Sequence, residues 1–175
     1  MSLISDRPST TTAPDRRRAA IGKLLYRFEG QLGELYPIGL FPDGIHFHNE
    51  FEGRVVDGPF AGARIFGLDQ FVQRPDGIGI IVAPEVIDDG THRVALELRG
   101  YVVPPAGLPV PPLEVMLEPD FAFPDLDFRV TGVATAATAS PELAHLNSSI
   151  VVVEGKVNLS TGALDVSAYL VDAIG

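Results

Sequence analysis

The sequence predicts an all-β chain, folded as an antiparallel up-and-down barrel of about eight strands with a lipocalin-like shape. Three observations lead there. First, between Glu52 and Gly100 three runs rich in β-branched and aromatic residues are separated by Asp57-Gly58-Pro59, Arg74-Pro75-Asp76-Gly77 and Asp88-Asp89-Gly90. Asp-Gly supplies the positive φ that a tight hairpin needs and Pro presets φ at the first turn corner, so the segment reads as a meander. Second, apolar and polar residues alternate along these runs with the period of a half-buried strand. Third, no helical pattern is long enough to cover a sheet, so closing the sheet on itself is the economical way to remove its edges. A two-sheet sandwich is the alternative architecture.

Taken in order, residues 1–20 hold a Ser/Thr/Pro stretch and the basic run Arg16-Arg17-Arg18, and read as a solvated tail ahead of a single domain at 21–175. No apolar core of the kind a secretory signal carries follows the basic run. From Lys23 the chain alternates, with Leu24, Tyr26 and Phe28 opposed to Leu25, Arg27 and Glu29, which defines a first strand. Residues 33–44, with two prolines and Asp43-Gly44 at the end, read as a loop. Residues 45–55 alternate again, placing Ile45, Phe47, Asn49 and Phe51 on one face and His46, His48, Glu50 and Glu52 on the other. The meander then supplies strands near 63–72, 79–87 and 92–102.

Residues 104–124 contain seven prolines, a spacing through which no helix or central strand runs. A connection this long inside a compact domain serves as a lid, a binding loop or a contact between copies of a homo-oligomer. A strand at 128–138 follows. Ser140 and Pro141 carry the residue types of a helix N-cap and first position, which predicts a short turn to Leu146. A hairpin of 149–159 and 163–171, joined at Ser160-Thr161-Gly162, closes the chain.

Composition narrows the function classes. A net charge of −10 repels phosphate backbones and anionic lipid surfaces, which argues against a nucleic-acid partner. No apolar run reaches the 18 or so residues of a membrane helix, so no membrane partner is expected. The chain has no cysteine, which removes thiolate metal sites and disulfides and suits a reducing cytoplasm. Nucleophile elbows, phosphate loops and dinucleotide fingerprints are missing, and no cofactor is implied.

Gly58-Pro59, Gly67-Leu68-Asp69, Arg74-Pro75-Asp76-Gly77, Asp89-Gly90 and Gly100, followed by Phe128-Arg129 and Leu146-Asn147, reproduce a spacing of turn residues over about residues 23–171. In this the chain resembles the small bacterial and fungal barrel proteins grouped as domain of unknown function 3237. The resemblance implies a barrel. It implies no activity, and three departures from the family pattern, at Gln70, at His145 and in Val133-Ala134-Thr135, imply a reshaped pocket.

Strand parity marks the candidate site. Ile65, Gly67, Asp69, Phe71 and Gln73 share a face, which puts a carboxylate on the apolar, inward side, where it must be paired or have a raised pKa. Arg74 and Arg129 are the expected partners. Asp69 and Tyr26 are the candidate proton-transfer groups; Arg74, Asn49, Gln73, Arg129 and Asn147 are the candidate binding residues. An apolar small molecule with a polar handle is the expected ligand, bound by a simple carrier or turned over by a cofactor-independent isomerase or cyclase acting on polyketide- or isoprenoid-like substrates. His46-x-His48 with Glu52 has the spacing of a cupin-type metal site, but parity turns all three outward, and the second half of that motif fails because Ile80 stands where a histidine is needed.

Overall fold

In a computed structural model, residues 22–171 are described. The expectation of a tail over residues 1–20 lies outside them. Nine strands follow in order: β1 Leu24–Leu32, β2 Tyr36–Phe41, β3 Gly44–Asp57, β4 Arg64–Gln73, β5 Gly79–Asp88, β6 Arg93–Val103, β7 Asp127–Ala137, β8 Ile150–Asn158 and β9 Ala163–Leu170. Every pairing is antiparallel, and each strand from β3 to β9 pairs with the next. β1 pairs with β9 on one side and with the second half of β3 on the other, so eight strands close a ring. This is the up-and-down barrel, and the sandwich alternative falls.

β2 is the ninth strand and a correction. It pairs only with the first half of β3, where a loop was expected. Pro37 is compatible with a strand here because β2 lies at a sheet edge, where a missing N–H breaks no second ladder. β1 also departs from simple alternation: its register with β9 shifts between Leu24 and Tyr26, and the bulge buries Leu25 as well as Tyr26.

Alternation fills the interior. Phe47, Phe51, Phe71, Ile81, Leu98 and Val153 all point inward and are buried. The end where β3 leads into β4 is sealed by Phe60 and by Leu146 of a 3-10 turn, Pro141–Ser148. Pro141 opens that turn as expected, but the Ser140 side chain makes no capping bond. Asn147 anchors the turn instead. Its Oδ1 accepts from Thr138 N at 2.7 Å, and its Nδ2 donates to Thr138 O at 3.0 Å. The expected binding role for Asn147 is therefore replaced by a structural one. Asn147→Ala should cost about 1–2 kcal/mol for the two lost bonds, read as a shifted urea midpoint.

At the opposite end the proline-rich segment between β6 and β7 forms a strap. It buries Met116, packs Leu108, Leu113 and Phe121 onto the core, and lines crevices with Gln73 and Phe128 on one side and Leu35, Phe47 and Leu159 on the other. Proline suits such a strap because it holds extended backbone without needing ladder partners.

Candidate functional site

The barrel interior keeps a cavity of about 60 Å³. At roughly 10–15 Å³ per water, it has room for about four waters or a fragment of similar size. Its wall is aliphatic and aromatic, and four polar side chains enter it: Tyr26 from β1, Asn49 from β3, Asp69 from β4 and Glu85 from β5.

Tyr26 and Glu85 are 59 residues apart and lie on strands that are not neighbours in the ring, so their contact crosses the inside of the barrel. The Tyr26 hydroxyl donates to Glu85 Oε1 at 2.6 Å, and both residues are buried. Burial raises the Glu85 carboxyl to about 7; the Tyr26 bond opposes that rise and the nearby Asp69 charge adds to it. Burial, then the Glu85 charge, drive the Tyr26 hydroxyl well above its ordinary value.

Asp69 is half-buried as a residue, but its Oδ1 is sealed from solvent and has no hydrogen-bond partner. Desolvation alone lifts its carboxyl to about 7. Asn49 stands directly across the β3–β4 ladder from Asp69, is 2% exposed, and has an unpartnered Nδ2. The β4–β5 ladder is regular from Arg64 to Gly67 and from Gln70 to Gln73, but the pairs of Leu68 and Asp69 with Pro84 and Ala83 are not made. Pro84 has no N–H to offer there. The stretch carrying Asp69 is thus held by β3 alone.

Both expected cationic partners of Asp69 are elsewhere. Arg74 lies past the end of β4, where its side chain bonds Asp76 in the turn, and Arg129 points outward from β7 and is exposed. Neither Asp69 nor Glu85 forms an ion pair among the described residues. Gln73 does point inward and is buried, but it sits under the strap with its Nε2 donating to Arg74 O, outside the central cavity. His46, His48 and Glu52 are on the outer face as parity indicated. His46 Nε2 lies 3.0 Å from Asp43, Glu52 accepts from Arg64 at 2.9 Å, and no cluster of three metal-ligating side chains occurs among the described residues.

Glu85 is the site residue that the sequence reading passed over. The signal was present: Ile81, Ala83, Glu85 and Ile87 share one face of β5, the same parity that singled out Asp69.

No family model matches the sequence, and no curated protein does. Several solved structures share the fold. A protein of unknown function from Clostridium acetobutylicum is 20% identical with a TM-score of 0.63, covering 86% of this chain and 98% of that one. A beta-barrel like protein from Acinetobacter baumannii is 21% identical with a TM-score of 0.62, covering 86% and 94%. A conserved protein of unknown function from Rhodopseudomonas palustris is 20% identical with a TM-score of 0.59, covering 85% and 96%. At this identity the likeness shows the fold alone, an antiparallel β-barrel.

Proposed function

We propose that the chain belongs with the barrels of the domain of unknown function 3237 family that it resembles, that it binds a small molecule, and that its ligand occupies the cavity between Asn49, Asp69 and the Tyr26–Glu85 pair. One observation carries this reading: two polar atoms, Asn49 Nδ2 and Asp69 Oδ1, are buried without partners on residues in the wall of a mostly apolar cavity. Buried polar groups are nearly always bonded, and an orphaned pair on residues that line a void is what a ligand site looks like from the protein side.

The test fills the cavity. Ala83 lines it and is buried, and Ala83→Val adds two methyl groups to the void. A thermal-shift screen of apolar compounds of about three to five heavy atoms should give stabilising hits on the wild type. Those hits should be lost in Ala83→Val while the variant keeps its own cooperative melt. Hits that survive the substitution, or a screen with none, would end the proposal.

A second reading, a cofactor-independent isomerase or cyclase, is supported by the raised carboxyls. A group with a pKa of about 7 can both take and return a proton at neutral pH. In that reading Asp69 transfers the proton, Asn49 holds the substrate oxygen, and Tyr26 fixes Glu85. Loss of turnover in Asp69→Asn with ligand affinity retained would separate catalysis from carriage.

A further inference from the structure

We infer that the group this site recognises is a neutral hydroxyl, one that donates to Asp69 Oδ1 and accepts from Asn49 Nδ2, carried on a small hydrocarbon body. The inference rests on the proposed binding function and specifies its ligand chemistry. Asn49 and Asp69 are register partners on β3 and β4, and both face inward. Directly opposed residues have Cβ atoms about 5 Å apart, close enough for one ligand atom to reach both side chains. Yet Nδ2 and Oδ1 bond neither each other nor any other group, and both are sealed from solvent. The free atoms are one N–H donor and one carboxyl oxygen. A hydroxyl is the smallest group that supplies the complementary acceptor and donor from a single atom.

Charge argues against anionic handles, and the count of donors and acceptors against the others. A carboxylate or phosphate would meet Asp69 and Glu85 with no cation in the cavity wall, and burying an unpaired like charge there is prohibitive. An ammonium could satisfy Asp69, but the Glu85 carboxyl is already taken up by the Tyr26 hydroxyl, and the Asn49 N–H and the aliphatic wall of Leu98, Val130 and Val153 offer its other N–H groups no acceptor. A ketone accepts from Asn49 and offers nothing to an ionised Asp69. The rest of the cavity, including Phe51, Phe71 and Ile81, is hydrocarbon, so the body of the ligand is hydrocarbon too.

Four probes of nearly one size, matched to a cavity of about four waters, test this: propan-2-ol, propane, acetone and isopropylammonium, each titrated into the full chain at pH 8 and followed by the methyl signals of the cavity valines and leucines. Two recovered hydrogen bonds should make propan-2-ol about tenfold or more tighter than propane and acetone, with isopropylammonium weakest. Asn49→Leu, close in volume, should bring propan-2-ol down to the affinity of propane while leaving propane bound. The wild-type ranking stands without any variant, so a misfolded Asn49→Leu leaves the test intact. Equal binding of propan-2-ol and propane would overturn the hydroxyl inference and leave the binding cavity standing. Tightest binding by isopropylammonium would overturn it in favour of a cation site in which Asn49 presents its oxygen. No binding by any probe would remove the cavity reading itself.

Discussion

Asp69→Asn should stabilise the protein at pH 8, by about 2–4 kcal/mol, and leave it nearly unchanged at pH 4. The reason is linkage. An aspartate titrates near 3.8 when unfolded and at about 7 here, so between those values the folded state holds more protons than the unfolded state. Stability then falls as pH rises through that window and levels off above it. About three units at about 1.4 kcal/mol each set the upper end of the range, and relaxation of a partly accessible residue lowers it. Glu85, raised from 4.5 to about 7, acts in the same direction. Asp43, Asp88, Asp89 and Asp165 act oppositely: their carboxyls are held below the usual range by hydrogen bonds, led by the His46, Arg93 and Arg27 side chains at Asp43, Asp88 and Asp165 and by the His92 backbone N–H at Asp89. Their contribution is present above pH 4 and lost as pH falls through their depressed values. Maximum stability is therefore expected near pH 4–5, low for a globular protein. Urea unfolding of wild type and Asp69→Asn at pH 4, 6 and 8 measures all of this. A variant less stable than wild type at pH 8 would mean that Asp69 is ionised and paired in solution, which would restore the Arg74 partnership.

Gly132→Val should cost about 4 kcal/mol or more, enough to leave a large fraction of the chain unfolded at physiological temperature. Two effects compete. Valine is the better strand residue, and on an open sheet the exchange would gain up to about 1 kcal/mol. Inside this barrel Gly132 is paired with Gly100 across β6 and β7. A Cβ at 132 would lie 2.6 Å from the Arg99 carbonyl, 2.9 Å from Leu98 Cδ1 and 3.1 Å from Gly100 Cα. The first of these atoms is backbone in a hydrogen-bonded strand and cannot swing away. A Cβ at Gly100 would be inside contact distance of the Thr131 carbonyl in the same manner. The two glycines let β6 and β7 bend tightly enough for eight strands to close, the role that strand glycines have at barrel corners. Thr131→Val, the neighbouring position that is half-buried on the outer face, is the control and should shift stability by less than about 0.5 kcal/mol. A folded, unshifted Gly132→Val would show that the curvature comes from elsewhere.

Legibility follows the range of the interactions. Strand parity is a local property with a period of two residues, and it correctly turned Tyr26, Asn49, Asp69 and Gln73 inward and His46, His48 and Glu52 outward. The same parity held the information for Glu85. The strand at 36–41 was hidden by Pro37 within it and Pro42 just past its end, because proline opposes a central strand and nothing local distinguishes a centre from an edge.

The sequence by itself determined the positions of the eight strands of the ring, the turn chemistry, the inward faces and the presence of a carboxylate among apolar side chains, because each of these depends on residues within a few positions of one another. Only the tertiary structure decided what that carboxylate meets. Arg74, five residues from Asp69, is carried past the end of the ladder to Asp76, and Tyr26 reaches Glu85 across three intervening strand pairings. Which inward side chains meet inside a closed sheet depends on register and closure, set by every pairing around the ring at once and by where glycines permit it to bend.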